Sequence, residues 1–161
     1  MIAQYQAADK DSKLEIPRFY ALKLDHKHLP EMQKVAGLLF APMFNPVVGD
    51  FYQGEVVAIP LFPRLLLQKT GAAEIREFLA AYYEAERFVN VMPYEADSYL
   101  DDGFLSAIEC NDSNRIELFV FGNADRILLA ARFDNLGKGS SGAAVQNMNI
   151  LLGLDEGTGL E

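Results

Sequence analysis

The chain has only two histidines, His26 and His28, two residues apart. In an extended segment both imidazoles point to one side while Lys27 points away. One ring can then give or take a proton near neutral pH. Glu31 is close enough in sequence to orient a ring by accepting its N–H. The spacing leaves a second reading open, a solvent-exposed loop with two histidines in it. A metal site lacks ligands, because no further histidine and no cysteine cluster completes a set. The single cysteine, Cys110, follows acidic Glu109, which raises rather than lowers a thiol pKa, so it reads as structural. The most unusual stretch is Asp134-Asn135-Leu136-Gly137-Lys138-Gly139-Ser140-Ser141-Gly142. Free amides at a helix start, with Lys138 among them, form a place for an anion or a polar cofactor group. The stretch is neither a Walker A sequence nor a GxGxxG fingerprint. An ordinary glycine-rich turn is the competing reading.

These residues need elements to hold them. Ile2 to Ala8 reads as the end of a helix, and Leu14 to Leu24, with Pro17 inside, as an edge or irregular strand. Pro30 suits a first helical position and Glu31 complements the positive helix end, predicting a short helix to about Val35. Leu38 to Val48 is apolar but broken by Pro42, Asn45 and Pro46, a strand with a bulge or loop. Gly49 to Gly54 is a loop with two hinge glycines, and Val56 to Phe62 a buried strand. Thr70 can cap a helix over Gly71 to Glu86, whose Ile75, Phe78, Leu79, Tyr82 and Tyr83 fall on helical spacing. Phe88 to Met92, Phe104 to Cys110, Arg115 to Phe121 and Arg126 to Phe133 read as strands, the last two joined by a Gly122–Asp125 turn. Ser140 or Ser141 can cap a final helix with Ala144, Val145, Met148, Leu151 and Leu152 on one stripe. Gly153 and Leu154 are placed for a Schellman stop. Strands outnumber helices without regular βαβ alternation, which predicts an α+β fold.

Length and composition bound the function. A chain of 161 residues, half of them hydrophobic, fits one domain with a real core and excludes intrinsic disorder. With 14 Lys+Arg against 23 Asp+Glu the net charge is −9. That balance argues against nucleic acid or an anionic membrane as a partner. No apolar run approaches the roughly 18 residues of a membrane span, and no secretory signal is visible. One cysteine forms no internal disulfide, so a soluble cytoplasmic protein is expected.

Three stretches together resemble the C-terminal half of N-acetyl-γ-glutamyl-phosphate reductases, a family of the aspartate-semialdehyde dehydrogenase type. His26-Lys27-His28-Leu29-Pro30-Glu31 is similar to the family's His-basic-His-x-Pro-Glu motif. Gly49 to Gly54 with Val56 to Leu61 resembles its loop-and-strand reaching the substrate site. Asp134 to Gly142, continuing through Asn149 into Gly153-Leu154-Asp155-Glu156, resembles its closing signature. The resemblance runs in family order over nearly the whole chain.

It implies a mixed or antiparallel sheet covered by helices, as in the C-terminal domains of semialdehyde and glyceraldehyde-3-phosphate dehydrogenases. Residues 1–161 would be the dimerisation and substrate-binding domain. The family's N-terminal Rossmann domain for NADP, and its nucleophilic cysteine in a Gly-Cys-Tyr-type context, have no counterpart here. Cys110 does not inherit that role. The resemblance further implies His26 as acid/base, with His28 and Glu31 orienting it or contacting N-acetylglutamyl phosphate. Asn135, Lys138 and Gly139 would serve the cofactor, Asn135 and Lys138 near its nicotinamide and phosphate ends. A homodimer inactive by itself is expected. The alternative is a free-standing dimeric interaction module on the same scaffold, without catalysis.

Overall fold

The structure is a computed structural model that describes residues 2–160, in two compact units, Met1–Tyr52 and Gln53–Glu161. The first unit is mostly turns. Helix α1 spans Ile2–Tyr5, shorter than the sequence predicts. A 3-10 turn over Ser12–Glu15 buries Leu14, and Asp11 caps it by accepting the Lys13 N–H at 3.0 Å. The strand expected over Leu14 to Leu24 shrinks to β1, Arg18–Phe19. Pro17 removes a donor just before it, and Ala21 and Leu24 turn the chain after it with left-handed φ of 53° and 57°. The strand expected over Leu38 to Val48 likewise shrinks to β2, Val47–Val48, antiparallel to β1. Helix α2 spans Leu29–Val35, with Pro30 in its first turn, where no N–H is needed.

The second unit holds a mixed sheet in the order β3-β6-β5-β4. Strands β3 (Glu55–Leu61), β6 (Ile127–Phe133) and β5 (Ile116–Gly122) pair antiparallel, while β4 (Val89–Val91) runs parallel to β5. The architecture is α+β, as the element count predicts. Helix α3 spans Ala72–Tyr82, and Gly71, not Thr70, is its N-cap. The Glu74 carboxylate reaches back to accept the Gly71 N–H at 3.0 Å, so the acidic residue in the first turn does the capping. Ala72, Ile75 and Leu79 pack on Val120, Ile127, Leu61 and Leu129 of one sheet face. The predicted stripe is narrower than its spacing: Phe78 and Tyr82 stack on each other, 6.1 Å apart, and stay exposed.

The opposite face carries Phe119 and Ala130 beneath Met92, Ala96, Val56 and Leu105. Leu105 belongs to the segment Phe104 to Cys110, which is not a strand. Two of its carbonyls are satisfied by guanidiniums, Arg132 donating to Ser106 O at 3.2 Å and Arg115 to Glu109 O at 2.6 Å, while Phe104 O, Ile108 O and Cys110 O take turn partners. Helix α4, Gly142–Leu151, follows a π turn over Gly137–Ser141 without a break. Its end has the predicted Schellman form, with Gly153 at φ 68° and the Leu154 N–H donating to Asn149 O at 2.9 Å. The inward side of α4 is small and polar, with Gly142 and Asn149 buried. Met148, Leu151 and Leu152 face outward. No described helix is long and apolar enough to cross a membrane.

Candidate active site

Two clusters hold the residues singled out in the sequence, one in each unit. The first surrounds His26. The segment is a turn, not a strand: Leu29 N–H donates to His26 O at 3.0 Å and Met32 N–H to His28 O at 2.9 Å as α2 begins. The two rings nonetheless meet edge to face, centroids 4.7 Å apart. His26 is half-buried, and Phe44 and Tyr20 add edge contacts at 5.0 and 5.9 Å. His28 and Glu31 are exposed.

The expected Glu31 contact is replaced by a backbone one. The His28 N–H donates to His26 Nδ1 at 3.2 Å, and among the described residues no hydrogen bond joins Glu31 to either ring. A backbone amide can only donate, so Nδ1 must be the unprotonated nitrogen while that bond lasts. The neutral ring then carries its proton on Nε2. His26 is thereby presented as a hydrogen-bond donor through Nε2, held between two aromatic edges. Tyr20 and Phe44 were invisible as site residues, since neither lies in a motif with the histidines.

The second cluster lies where β6 meets the turn leading to α4. Asp134 is buried, and its carboxylate accepts the Leu136, Gly137 and Asp112 N–H groups at 2.8, 2.9 and 2.9 Å. Gln53 Nε2 adds a fourth bond at 3.0 Å. Burial by itself would raise this carboxyl, but the amides of Gly137, Asp112 and Leu136 outweigh it and hold Asp134 below the usual carboxylate range. The helix-start amides expected to be free for an anion are therefore taken by a side chain of the chain itself. An Asp directly before a helical pattern is the signal that could have announced this.

The three residues of the expected cofactor site differ in what they still offer. Gly139 N–H donates to Asp134 O at 2.8 Å. Lys138 Nζ donates to Gln146 Oε1 at 2.7 Å and lies 5.4 Å over the Phe88 ring, and burial pushes its ammonium pKa down. Asn135 Oδ1 accepts the Gly54 N–H at 2.8 Å. Its amide NH2 meets no acceptor among the described residues, so Asn135 fits a polar ligand group where Lys138 is turned inward. Cys110 is fully buried, and burial pushes its thiol up. That is a poor nucleophile. Among the described residues no group of three or more His, Cys, Asp or Glu is placed to hold a metal ion.

The family model described as "Semialdehyde dehydrogenase, dimerisation domain" matches residues 5–135. The chain is 50% identical over 144 residues to N-acetyl-gamma-glutamyl-phosphate reductase 2 of Nostoc sp., covering 88% of this chain and 45% of that protein. It is 43% identical over 156 residues to the N-acetyl-gamma-glutamyl-phosphate reductase of Rhizobium leguminosarum bv. trifolii, covering 94% and 49%. A third relative, N-acetyl-gamma-glutamyl-phosphate reductase 2 of Pseudomonas putida, is 43% identical over 141 residues, 84% of this chain and 44% of its own. The chain thus spans about half the length of the curated relatives it matches.

Proposed function

This chain belongs to the semialdehyde dehydrogenase dimerisation-domain family, and from that membership we propose that it is the substrate-binding and dimerisation half of an N-acetyl-γ-glutamyl-phosphate reductase. The reaction is the reduction of N-acetylglutamyl 5-phosphate to the semialdehyde, in arginine biosynthesis. We read the nucleophilic cysteine and the dinucleotide fold as lying in the half of the enzyme beyond this match, which would leave this chain inactive alone. The assembly is a cytoplasmic homodimer. The observation that carries the reading is identity of 43–50% to three reductases over 84–94% of this chain.

The geometry supplies part of the chemistry. A thiolate adds to the acyl-phosphate carbonyl, phosphate leaves and a thioester forms. NADPH, when bound, supplies hydride to that thioester. His26 Nε2–H donates a hydrogen bond to the oxyanion of each tetrahedral adduct, stabilising it until the carbonyl re-forms and phosphate, then the thiolate, departs. His28 fixes the ring through its backbone N–H and offers its own ring, with Glu31 beside it on the exposed side, to the substrate's polar ends. Asn135 presents its amide NH2 to the cofactor's polar end, while Lys138 and Gly139 hold the turn that carries it.

NADPH oxidation with N-acetylglutamyl phosphate tests the reading. This chain alone is expected to be silent, and a chimera joining it to the N-terminal half of the Nostoc relative is expected to turn over. A silent, folded chimera would favour the interaction module without catalysis. Turnover by the chain alone near that of a complete reductase would also overturn the proposal.

A further inference from the structure

We infer that Gln53 and Asp134 are positioning residues that fix which end of the Asn135 carboxamide faces a ligand, an inference that rests on the proposed placement of the cofactor's polar end at Asn135. A closed set of hydrogen bonds holds them. Both oxygens of Asp134 are saturated, Oδ1 by the Leu136 and Gly137 amides and Oδ2 by Asp112 N–H and Gln53 Nε2. The second N–H of Gln53 Nε2 donates to Asp112 Oδ1 at 2.9 Å, and Gln53 O accepts from Asn111 Nδ2 at 3.0 Å. Gln53 is therefore held by side chain and backbone together.

That grip is passed to the next residue. Gly54 has φ 112°, and a Cβ there would lie 2.3 Å from Ala107 O, so only glycine fits and its backbone has one direction. Its N–H points at Asn135 Oδ1, 2.8 Å away. Turning the Asn135 amide over would set NH2 against N–H, two donors without an acceptor, in a half-buried place. The carboxamide is thus locked with its carbonyl inward. Its NH2 remains for a ligand oxygen, a carbonyl or a phosphate, and a ligand donor is refused.

The complete reductase carrying this chain tests the device through three variants. Asn135→Asp keeps the acceptor for Gly54 and removes the NH2, and should raise the KM for NADPH about tenfold, the weight of one good hydrogen bond, with an unchanged melting temperature. Gln53→Met keeps the length and removes both donors, and should raise the same KM about three- to tenfold with the KM for the acyl phosphate unchanged. Should Gln53→Met fail to fold, Asp112→Gly removes one of the Gln53 bonds at a residue whose φ of 59° suits glycine, and should move the KM in the same direction. A purely structural role would lower the active fraction and leave the KM alone. If Asn135→Asp binds NADPH normally, the placement of the cofactor at Asn135 is wrong. If Asn135→Asp is impaired while folded Gln53→Met and Asp112→Gly keep a normal KM, that placement stands and the positioning role is overturned.

Discussion

Arg132 grips a single oxygen of Glu117 with two donors, Nε at 2.9 Å and Nη2 at 2.6 Å, across the β5–β6 pair. Both side chains are buried, at 4% and 10% exposure. Arg132 also lies 5.1 Å over the Phe119 ring and reaches Ser106 O, so one guanidinium ties the sheet to the loop that replaces a strand. Removing Glu117 leaves the Arg132 charge buried without compensation, which costs about 3–5 kcal/mol, whereas removing Arg132 leaves Glu117 beside Arg115 Nε at 3.2 Å. Glu117→Ala should lose roughly that much and Arg132→Ala less, read as urea midpoints at constant slope. The double replacement Glu117→Leu/Arg132→Met should lose less than Glu117→Ala, because no buried orphan charge remains and Arg115 is half-exposed. A double variant as unstable as the sum of the singles would show that the pair is a net stabiliser in its own right.

Asp134 makes a pH prediction. Its carboxyl lies below the usual range because three backbone amides outweigh burial. A group whose folded pKa is depressed adds stability above its unfolded pKa, roughly 3.9, and loses it as pH falls through the folded value. Stability should therefore drop steeply below about pH 4. Asp134→Asn, which cannot titrate, should be less stable at pH 7 and show a shallower fall in acid. Parallel pH profiles for the two proteins would mean that Asp134 does not carry the acid sensitivity.

Much of this was legible in the sequence, and the failures share a cause. The β5–β6 hairpin, α3 and the Schellman stop at Gly153 follow from local periodicity and turn chemistry that no neighbour contradicts. Phe104 to Cys110 looks like a strand because it is apolar, yet two of its carbonyls are taken by Arg115 and Arg132, and a side-chain donor across sequence leaves no local trace. Leu14 to Leu24 was overread for a related reason: Ala21 and Leu24 take positive φ that neither residue type announces. The meeting of the two histidine rings was readable from their spacing, although a turn and not a strand brings them together. The Asp134, Gln53 and Asn111 network was not, because its members lie up to 81 residues apart.

His26 has the simplest functional test. In the complete reductase His26→Ala should lower kcat by about 10²–10³, the ordinary weight of one donor to an oxyanion. His28→Ala keeps the backbone N–H that holds the His26 ring, so it should raise the substrate KM more than it lowers kcat. Steady-state kinetics on both variants decide the matter. The reverse pattern would move the oxyanion-stabilising role from His26 to His28.

The last prediction is self-association. Met148, Leu151 and Leu152 stand 50%, 85% and 66% exposed on α4, while the family match that carries the dimerisation description ends at residue 135, before that helix. The residues that bring two copies together are then expected within 5–135, where Ile59, Leu65 and Leu67 stand 51%, 72% and 105% exposed. Apolar patches of several hundred Å² are uncommon on monomers, and a two-fold contact closes at two copies. Light scattering should return about twice the 17.9 kDa chain mass. Leu151→Ser with Leu152→Ser should leave that mass unchanged, whereas Ile59→Glu on the exposed edge strand should shift it towards the monomer. A dimer broken by the α4 changes and untouched by Ile59→Glu would put the contact on the helix, outside the span the family description covers.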